Sequence, residues 1–391
     1  KAGAIDPIWG RDNEIRQIID ILTRRRQNNP MLTGEAGVGK TAVVEGLALK
    51  IAQQDVPDAL KNISIRVLDL ALLQAGAGIK GEFENRLKTL IKEVNASAVP
   101  IILFIDEAHT MIGSGGQAGQ GDTANLLKPA LARGELRMIA ATTWAEYKKY
   151  FEKDAALTRR FQVVKIEEPS TDKAIVMMRA LLPVMESHHK IIISDQAIQA
   201  SVNLSDRYIS ARQLPDKAIS LLDTACARVA MSQASTPGSV ENLQREEQQL
   251  INQISLLTRE EKTGVNHTSQ LVKLNEILAA NKLSLAPLLV QWQTELELVK
   301  EIAELVNVLQ QEDVDDLLAN QQKLTALKAQ LAEQEVNMVQ WQVDEQLIAQ
   351  IISDWTGIPL GKMAQDELET VLNLSDEMKS RVIGQDHAID M

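Results

Sequence analysis

An α/β fold with a mostly parallel sheet, followed by helical segments, is predicted by three observations. Over the first 165 residues, short apolar runs without polar alternation are separated by longer amphipathic stretches. A glycine-rich turn joins the first of those runs to the helix behind it. From about residue 171 onward the runs give way to helical spacing, which later narrows to a thin apolar seam.

Each element follows from its residues. The runs at 31–32, 65–70, 101–105 and 138–141 read as strands buried on both faces, and residues 41–53 and 82–94 between them read as helices. Strand, helix and strand in succession predict a parallel sheet covered on both sides. Beyond it, residues 174–185, 195–205 and 214–231 read as three amphipathic helices, a small helical domain in which no further strand is expected. Ser235-Thr236-Pro237-Gly238-Ser239 breaks the pattern.

Gln, Glu, Leu and Lys then dominate, and Val240, Leu243, Leu250, Ile254 and Leu257 recur three, four or seven residues apart. Residues 264–269 interrupt this seam. Leu271, Leu274 and Leu278 resume it, followed by Trp292, Leu296, Val299, Val306 and Leu309 and by Leu317, Leu324, Leu327 and Leu331. So narrow a seam favours helices folded back on one another as a coiled-coil-like arm. An ordinary helical bundle is the alternative, and period alone does not separate the two. Compact texture returns at 347–352, so the arm reads as an insertion near the end of the helical domain.

Composition excludes several classes. The 391 residues exceed one ordinary domain, and with aromatics at only 3% the core must be built from Leu, Ile, Val and Ala. Lys plus Arg number 41 against 53 Asp plus Glu, a net charge of −12 that argues against sequence-independent binding along a nucleic-acid backbone. The longest apolar runs fall far short of a membrane span, so no membrane insertion is expected. The chain opens on Lys1 and stops abruptly at Met391, and it reads as a fragment. Cys226 has no disulfide partner and lies in no zinc-site spacing; it reads as a small buried apolar residue. His188 and His189 lack a third ligand and read as solvated surface residues.

The strongest chemical signal is Gly34-Glu35-Ala36-Gly37-Val38-Gly39-Lys40-Thr41, a complete Gly-x4-Gly-Lys-Thr loop between an apolar strand and an amphipathic helix. Glycines there allow successive N–H groups to face phosphate oxygens beside the positive end of a helix. Lys40 reaches the terminal phosphates of ATP or ADP, and Thr41 offers its hydroxyl to Mg2+. The run at 101–105 then delivers two carboxylates: Asp106 to hold magnesium and Glu107 to polarise the attacking water. Alone this acidic pair is weak; downstream of a complete phosphate loop it is strong. Thr143 ends a further buried run, where it either bonds the γ-phosphate or attacking water or caps the next helix. Arg159 and Arg160 precede a buried Phe161, either as a solvated pair or as an arginine finger for a neighbouring subunit's ATP.

These residues stand in the order and spacing of the Clp class of AAA+ unfoldases, which the chain resembles over essentially its whole length. Asp6-Pro7-Ile8-Trp9-Gly10-Arg11, Arg212-Gln213-Leu214-Pro215-Asp216-Lys217-Ala218 and Trp355-Thr356-Gly357-Ile358-Pro359 carry the same wording. The resemblance implies an α/β P-loop AAA+ core with a parallel sheet, a small helical lid domain and an inserted coiled-coil arm. The large nucleotide-binding domain would occupy 1–168, the lid 169–235 with its end at 343–363, and the arm 236–342. A linker and the start of a truncated second module would fill 364–391. It further implies a homo-oligomer, a hexameric ring acting on a protein substrate in the bacterial cytoplasm. Ile8, Leu214 and Pro215 would lie near the adenine, and Ile79 and Lys80 in the central pore.

Within the class, the ClpB disaggregase family and the ClpV family of type VI secretion ATPases compete. The arm is short for ClpB, and Ile79 stands where ClpB has an aromatic pore residue. An aliphatic side chain there would grip a threaded chain more weakly. Thr143-Trp144-Ala145-Glu146-Tyr147 also reads like ClpV, whose implied substrate is contracted sheath. Asp106-Glu107-Ala108-His109 spells DEAH, which raises a rival from another class, a nucleic-acid helicase; the acidic charge and the lack of a second arginine-rich motif oppose it.

Overall fold

The computed structural model describes residues 5–74, 82–112, 123–264, 266–309, 317–333 and 337–360. They divide into two compact units, one formed by residues up to 184 with 198–222 and 352 onward, the other by 185–197 and 223–351.

In the first unit, β1 (Asn29–Thr33), β2 (Ser64–Val67), β3 (Ile101–Ile105), β4 (Arg137–Thr142) and β5 (Phe161–Lys165) form one sheet in the order β2-β3-β4-β1-β5. Every neighbouring pair is parallel. Successive side chains of a strand point to opposite faces, and both faces are apolar here. Leu32, Ile102, Phe104, Ile139 and Ala141 pack against α1 (Asp12–Thr23) and α2 (Lys40–Ala52) through Ile18, Leu22, Val43 and Leu47. Met31, Leu103, Ile105, Met138 and Ala140 face the other way, in one cluster with Leu87 of α4 (Glu82–Ala96) and with Leu127 and Leu131 of α5 (Thr123–Arg133). Only α3 (Leu70–Gln74) intervenes between β2 and α4 among the described residues.

Two strand expectations need correction. The run at 65–70 ends as a strand at Val67 and is not buried on both faces, because β2 is an edge strand and Val67 is 73% exposed. Strand β5, absent from the pattern reading, carries Gln162 and Lys165 among its apolar residues, which hid it.

The short helices α6 (Trp144–Glu146) and α7 (Ala155–Thr158) lead into β5. Helices α8 (Thr171–His189), α9 (Asp195–Tyr208) and α10 (Asp216–Ala234) are the three predicted ones, with α8 longer at both ends despite Pro183 inside it. The expectation that strands stop at 171 fails in the second unit. There β6 (Ile192–Ile193) pairs in parallel with β7 (Gln342–Val343), two residues each and too short to leave a periodic signal.

The second unit also holds α11 (Gly238–Glu261), α12 (Thr268–Leu309), α13 (Leu317–Ala332) and the start of α14 (Glu345–Thr356). At 42 residues, α12 is about 63 Å long. Its beginning packs Leu271, Leu274 and Leu278 on Leu250, Ile254 and Leu257 of α11. Its end packs Trp292, Leu296, Val299 and Ile302 with Leu324, Leu327 and Leu331 of α13. Two separate seams along one long helix form an arm; a bundle would merge them into one core.

Cys226 is fully buried, and its thiol is pushed up to about 12, first by burial and then by Asp223 and Glu186. His189 is less solvated than expected: its side chain is 14% exposed, and Nε2 lies 2.7 Å from Asp223 Oδ1. Among the described residues no helix is long and apolar enough to cross a membrane, and no group of three or more His, Cys, Asp or Glu is placed to hold a metal.

One carboxylate ties α12 to the chain that follows α13. Glu295 is completely buried in α12; its Oε2 accepts from the backbone N–H groups of Met338 (2.7 Å) and Val339 (2.8 Å), and Gln291 Nε2 donates to Oε1 at 2.8 Å. Replacing it by Ala strands one buried and one partly buried donor. Glu295→Ala should cost on the order of 3 kcal/mol in urea unfolding and accelerate hydrogen exchange at the Met338 and Val339 amides. Unchanged protection there would contradict this.

Candidate active site

The chain leaves β1 at Thr33, turns through residues 34–39 and enters α2 at Lys40. Glycine is needed at two points of that turn. A Cβ on Gly34 would lie 2.2 Å from the carbonyl oxygen of Ile166, and Gly37 has φ +85° with Asp216 packed against it. The turn is braced from behind by Arg11, which is 6% exposed. Its guanidinium donates to Val38 O (2.7 Å), Glu167 O (3.0 Å) and Glu14 Oε1 (2.9 Å). It thus joins the loop to the segment beyond β5.

The loop opens into a cavity of about 390 Å³. Ala36, Gly37, Gly39, Lys40 and Thr41 line one side and Asp106, Glu107 and Thr143 another, with Pro215 closing it. Lys40 Nζ donates to the carbonyls of Gly34 (3.0 Å) and Glu35 (2.9 Å). Burial lowers its pKa from the ordinary lysine value, against the opposing pull of Asp106, Glu146 and Glu35. Thr41 Oγ1 donates to Asp106 Oδ2 at 2.9 Å, and Asp106 Oδ1 accepts from Glu107 N at 2.9 Å. Glu107 itself turns the chain sharply, with φ +49° and ψ +49°.

The other predicted residues are placed as follows. Gly34 and Val38 are buried within the loop, Glu35 is exposed, and none of the three side-chain positions lines the cavity. Ile8 packs over Gly46 of α2, and Leu214 is buried with its N–H donating to Glu168 Oε1 at 2.7 Å; neither reaches the lining. Arg159 is exposed and Arg160 half-buried at the end of α7, and neither lines its own chain's cavity. Ile79 and Lys80 lie outside the described residues. Thr143 caps α6: its hydroxyl accepts from Glu146 N (3.3 Å), while the Glu146 carboxylate accepts from Thr143 N (3.0 Å).

Sequence reasoning did not single out Arg11, His109, Thr142, Glu146, Asp216 or Ile219, the last five of which also line the cavity. Thr143 and Glu146 carry the Thr-x-x-Glu spacing of a capping box, a signal legible in advance. Nothing local marks Arg11 as a brace, because apart from Glu14 its partners lie 27 and 156 residues away.

A parallel α/β sheet with this loop and acidic strand end defines a P-loop nucleotide-binding core, and comparison with known families narrows it to an AAA+ ATPase. The family described as ATPase family associated with various cellular activities (AAA) matches residues 30–170, and the AAA lid domain matches 170–275. The chain belongs to the AAA+ ATPases as a module of the Clp class. It is 53% identical to the AAA+ ATPase ClpV1 of Pseudomonas aeruginosa, over 100% of this chain and 46% of that protein. It is 50% identical to the chaperone protein ClpB of Yersinia enterocolitica, over 100% and 45%. Hsp104 of S. cerevisiae in complex with ADP superposes with a TM-score of 0.72 at 36% identity, over 99% of this chain and 58% of that one. The chain spans about half the length of the curated relatives it matches.

Because Arg11 links the loop carbonyl of Val38 to Glu167, Arg11→Ala should weaken binding of a fluorescent ADP analogue by about tenfold or more. Lysine should not rescue it, since an ammonium lacks the planar fork that spans both carbonyls. Wild-type affinity in Arg11→Ala would contradict the bracing role.

Proposed function

We propose that this chain binds ATP with Mg2+ in the loop 34–41 and hydrolyses it as one module of a protein-remodelling ring. The contact between Thr41 Oγ1 and Asp106 Oδ2 carries this reading, since it brings a hydroxyl and a carboxylate from distant segments to the mouth of a phosphate-sized turn. The donor set suits magnesium, which takes hard oxygen ligands and usually one or two carboxylates, with substrate phosphates and water filling the rest. Thr41 and Asp106 would hold the ion, and bound magnesium supplies charge neutralisation at the terminal phosphates. The backbone N–H groups of Gly37, Val38 and Gly39 bind phosphate oxygens, Lys40 draws the terminal phosphates, and Glu107 orients the attacking water. Thr143 lines the same cavity.

Arg159 and Arg160, which do not line their own chain's cavity, serve the site of a neighbouring subunit, so turnover depends on assembly into a hexamer. Ile8 and Leu214-Pro215 belong to the adenine end. The domain limits at 168, 235, 342 and 363 go with this arrangement, as do pore-facing Ile79 and Lys80.

The ring is assigned to the bacterial cytoplasm, with sheath subunits of a type VI system as substrate. The short arm, Ile79 and 53% identity to ClpV1 support that assignment. A ClpB-type disaggregase is the second reading, supported by the 50% identity to a ClpB chaperone.

Three substitutions separate the links. Lys40→Ala should lose nucleotide binding, Glu107→Gln should bind without turnover, and Arg159→Ala should assemble yet hydrolyse about 10³-fold more slowly. Normal turnover in Glu107→Gln would contradict the role given to that carboxylate. For the substrate, the full-length parent should retain purified sheath protein and not heat-aggregated protein; the reverse would favour the ClpB reading.

A further inference from the structure

Glu146 meets more of the cavity wall than a helix cap requires. Its helix, α6, has three residues, and its cap is complete once Thr143 and Glu146 have exchanged their bonds. Yet Glu146 Oε2 also accepts from Thr142 Oγ1 at 3.0 Å and lies 3.1 Å from His109 Nδ1, off the line of a completed hydrogen bond. Neither Thr142 nor His109 belongs to α6. All four residues line the cavity that holds Asp106 and Glu107.

The position of His109 gives the contact its consequence. It sits two residues beyond Glu107, on the single helical turn at 108–111 that the positive-φ corner at Glu107 begins. That corner is held by Glu107 N on Asp106 Oδ1 (2.9 Å) and by Thr110 N on Glu107 O (2.9 Å). Beyond the corner, the His109 ring is placed between the Glu146 carboxylate and the face of Tyr150, with ring centroids 6.3 Å apart. The tip of β4 and the turn after β3 therefore meet at one carboxylate.

That group is ionised at neutral pH. Burial pushes it up, but hydrogen bonds from Thr143 and Thr142 and the charge of His109 outweigh burial, and its pKa falls below the usual glutamate value.

We propose that Glu146 is a positioning residue for hydrolysis: by holding Thr143 on one side and His109 on the other, it sets where the Glu107 carboxylate stands relative to the end of β4. This inference rests on the ATPase reading above, which wild-type turnover in the same assay tests separately. A misplaced water-orienting group slows the chemical step while leaving ground-state binding intact.

The test uses the full-length protein with Glu146→Gln, His109→Asn and the double variant. Glutamine preserves the accepting oxygen of the capping box and removes the charge. Glu146→Gln should keep the wild-type thermal midpoint and an ATP KM within about twofold, while kcat falls about tenfold or more. The double variant should fall no further than the more damaged single one, because the two side chains act as one unit. A kcat within twofold of wild type, a loss confined to KM, or a double variant equal to the product of the singles would each overturn the proposal. Should Glu146→Gln lower the thermal midpoint, His109→Asn, which lies outside the cap, decides alone: reduced kcat at an unchanged midpoint supports the proposal, and wild-type kcat overturns it.

Discussion

Parallel pairing is the constraint on which the rest depends. Since every neighbouring strand of the five-stranded sheet runs the same way, the carboxyl ends of β1, β3 and β4 open on one edge. Thr33 stands opposite Thr142, and Gly34 N reaches across to Thr142 O at 3.3 Å. A glycine turn at 34, an acidic pair at 106 and two threonines at 142 thereby share one cavity. The same pairing requires helices on both faces, which is why the inner strands β3 and β4 are apolar on odd and even positions alike.

Two carboxylates show how surroundings divide similar chemistry between holding and working. Glu295 is completely buried and accepts from Met338 N, Val339 N and Gln291, so it joins segments of the second unit. Glu146 also accepts backbone and side-chain donors, but it remains partly open beside Asp106, Glu107 and Lys40. At Glu146 the donated hydrogen bonds support a charge that burial opposes. The second lines the cavity with Asp106 and Glu107.

The residues legible in the sequence are those whose function needs a local pattern. The phosphate loop requires its glycines within eight residues, and β3 announces itself by five apolar residues ending in Asp106-Glu107. The arm's helices were legible from spacing, because a seam of Leu, Ile and Val has one period. What escaped was decided by distant partners or by position in the sheet. Strand β5 mixes Gln162 and Lys165 with its apolar residues, and the exposure of Val67 follows from β2 lying at an edge. The β6–β7 pair is set by chain segments 150 residues apart, Ile192 opposite Gln342. Arg11 resembles any surface arginine until the fold brings Val38 and Glu167 to it.

The most direct measurement is the structure of the full-length protein with magnesium and a non-hydrolysable ATP analogue. The account predicts the triphosphate wrapped by residues 34–41, the ion beside Thr41 and Asp106, and the terminal phosphate facing Glu107 and Thr143. Nucleotide bound elsewhere on the chain, or a terminal phosphate directed away from Glu107, would contradict it.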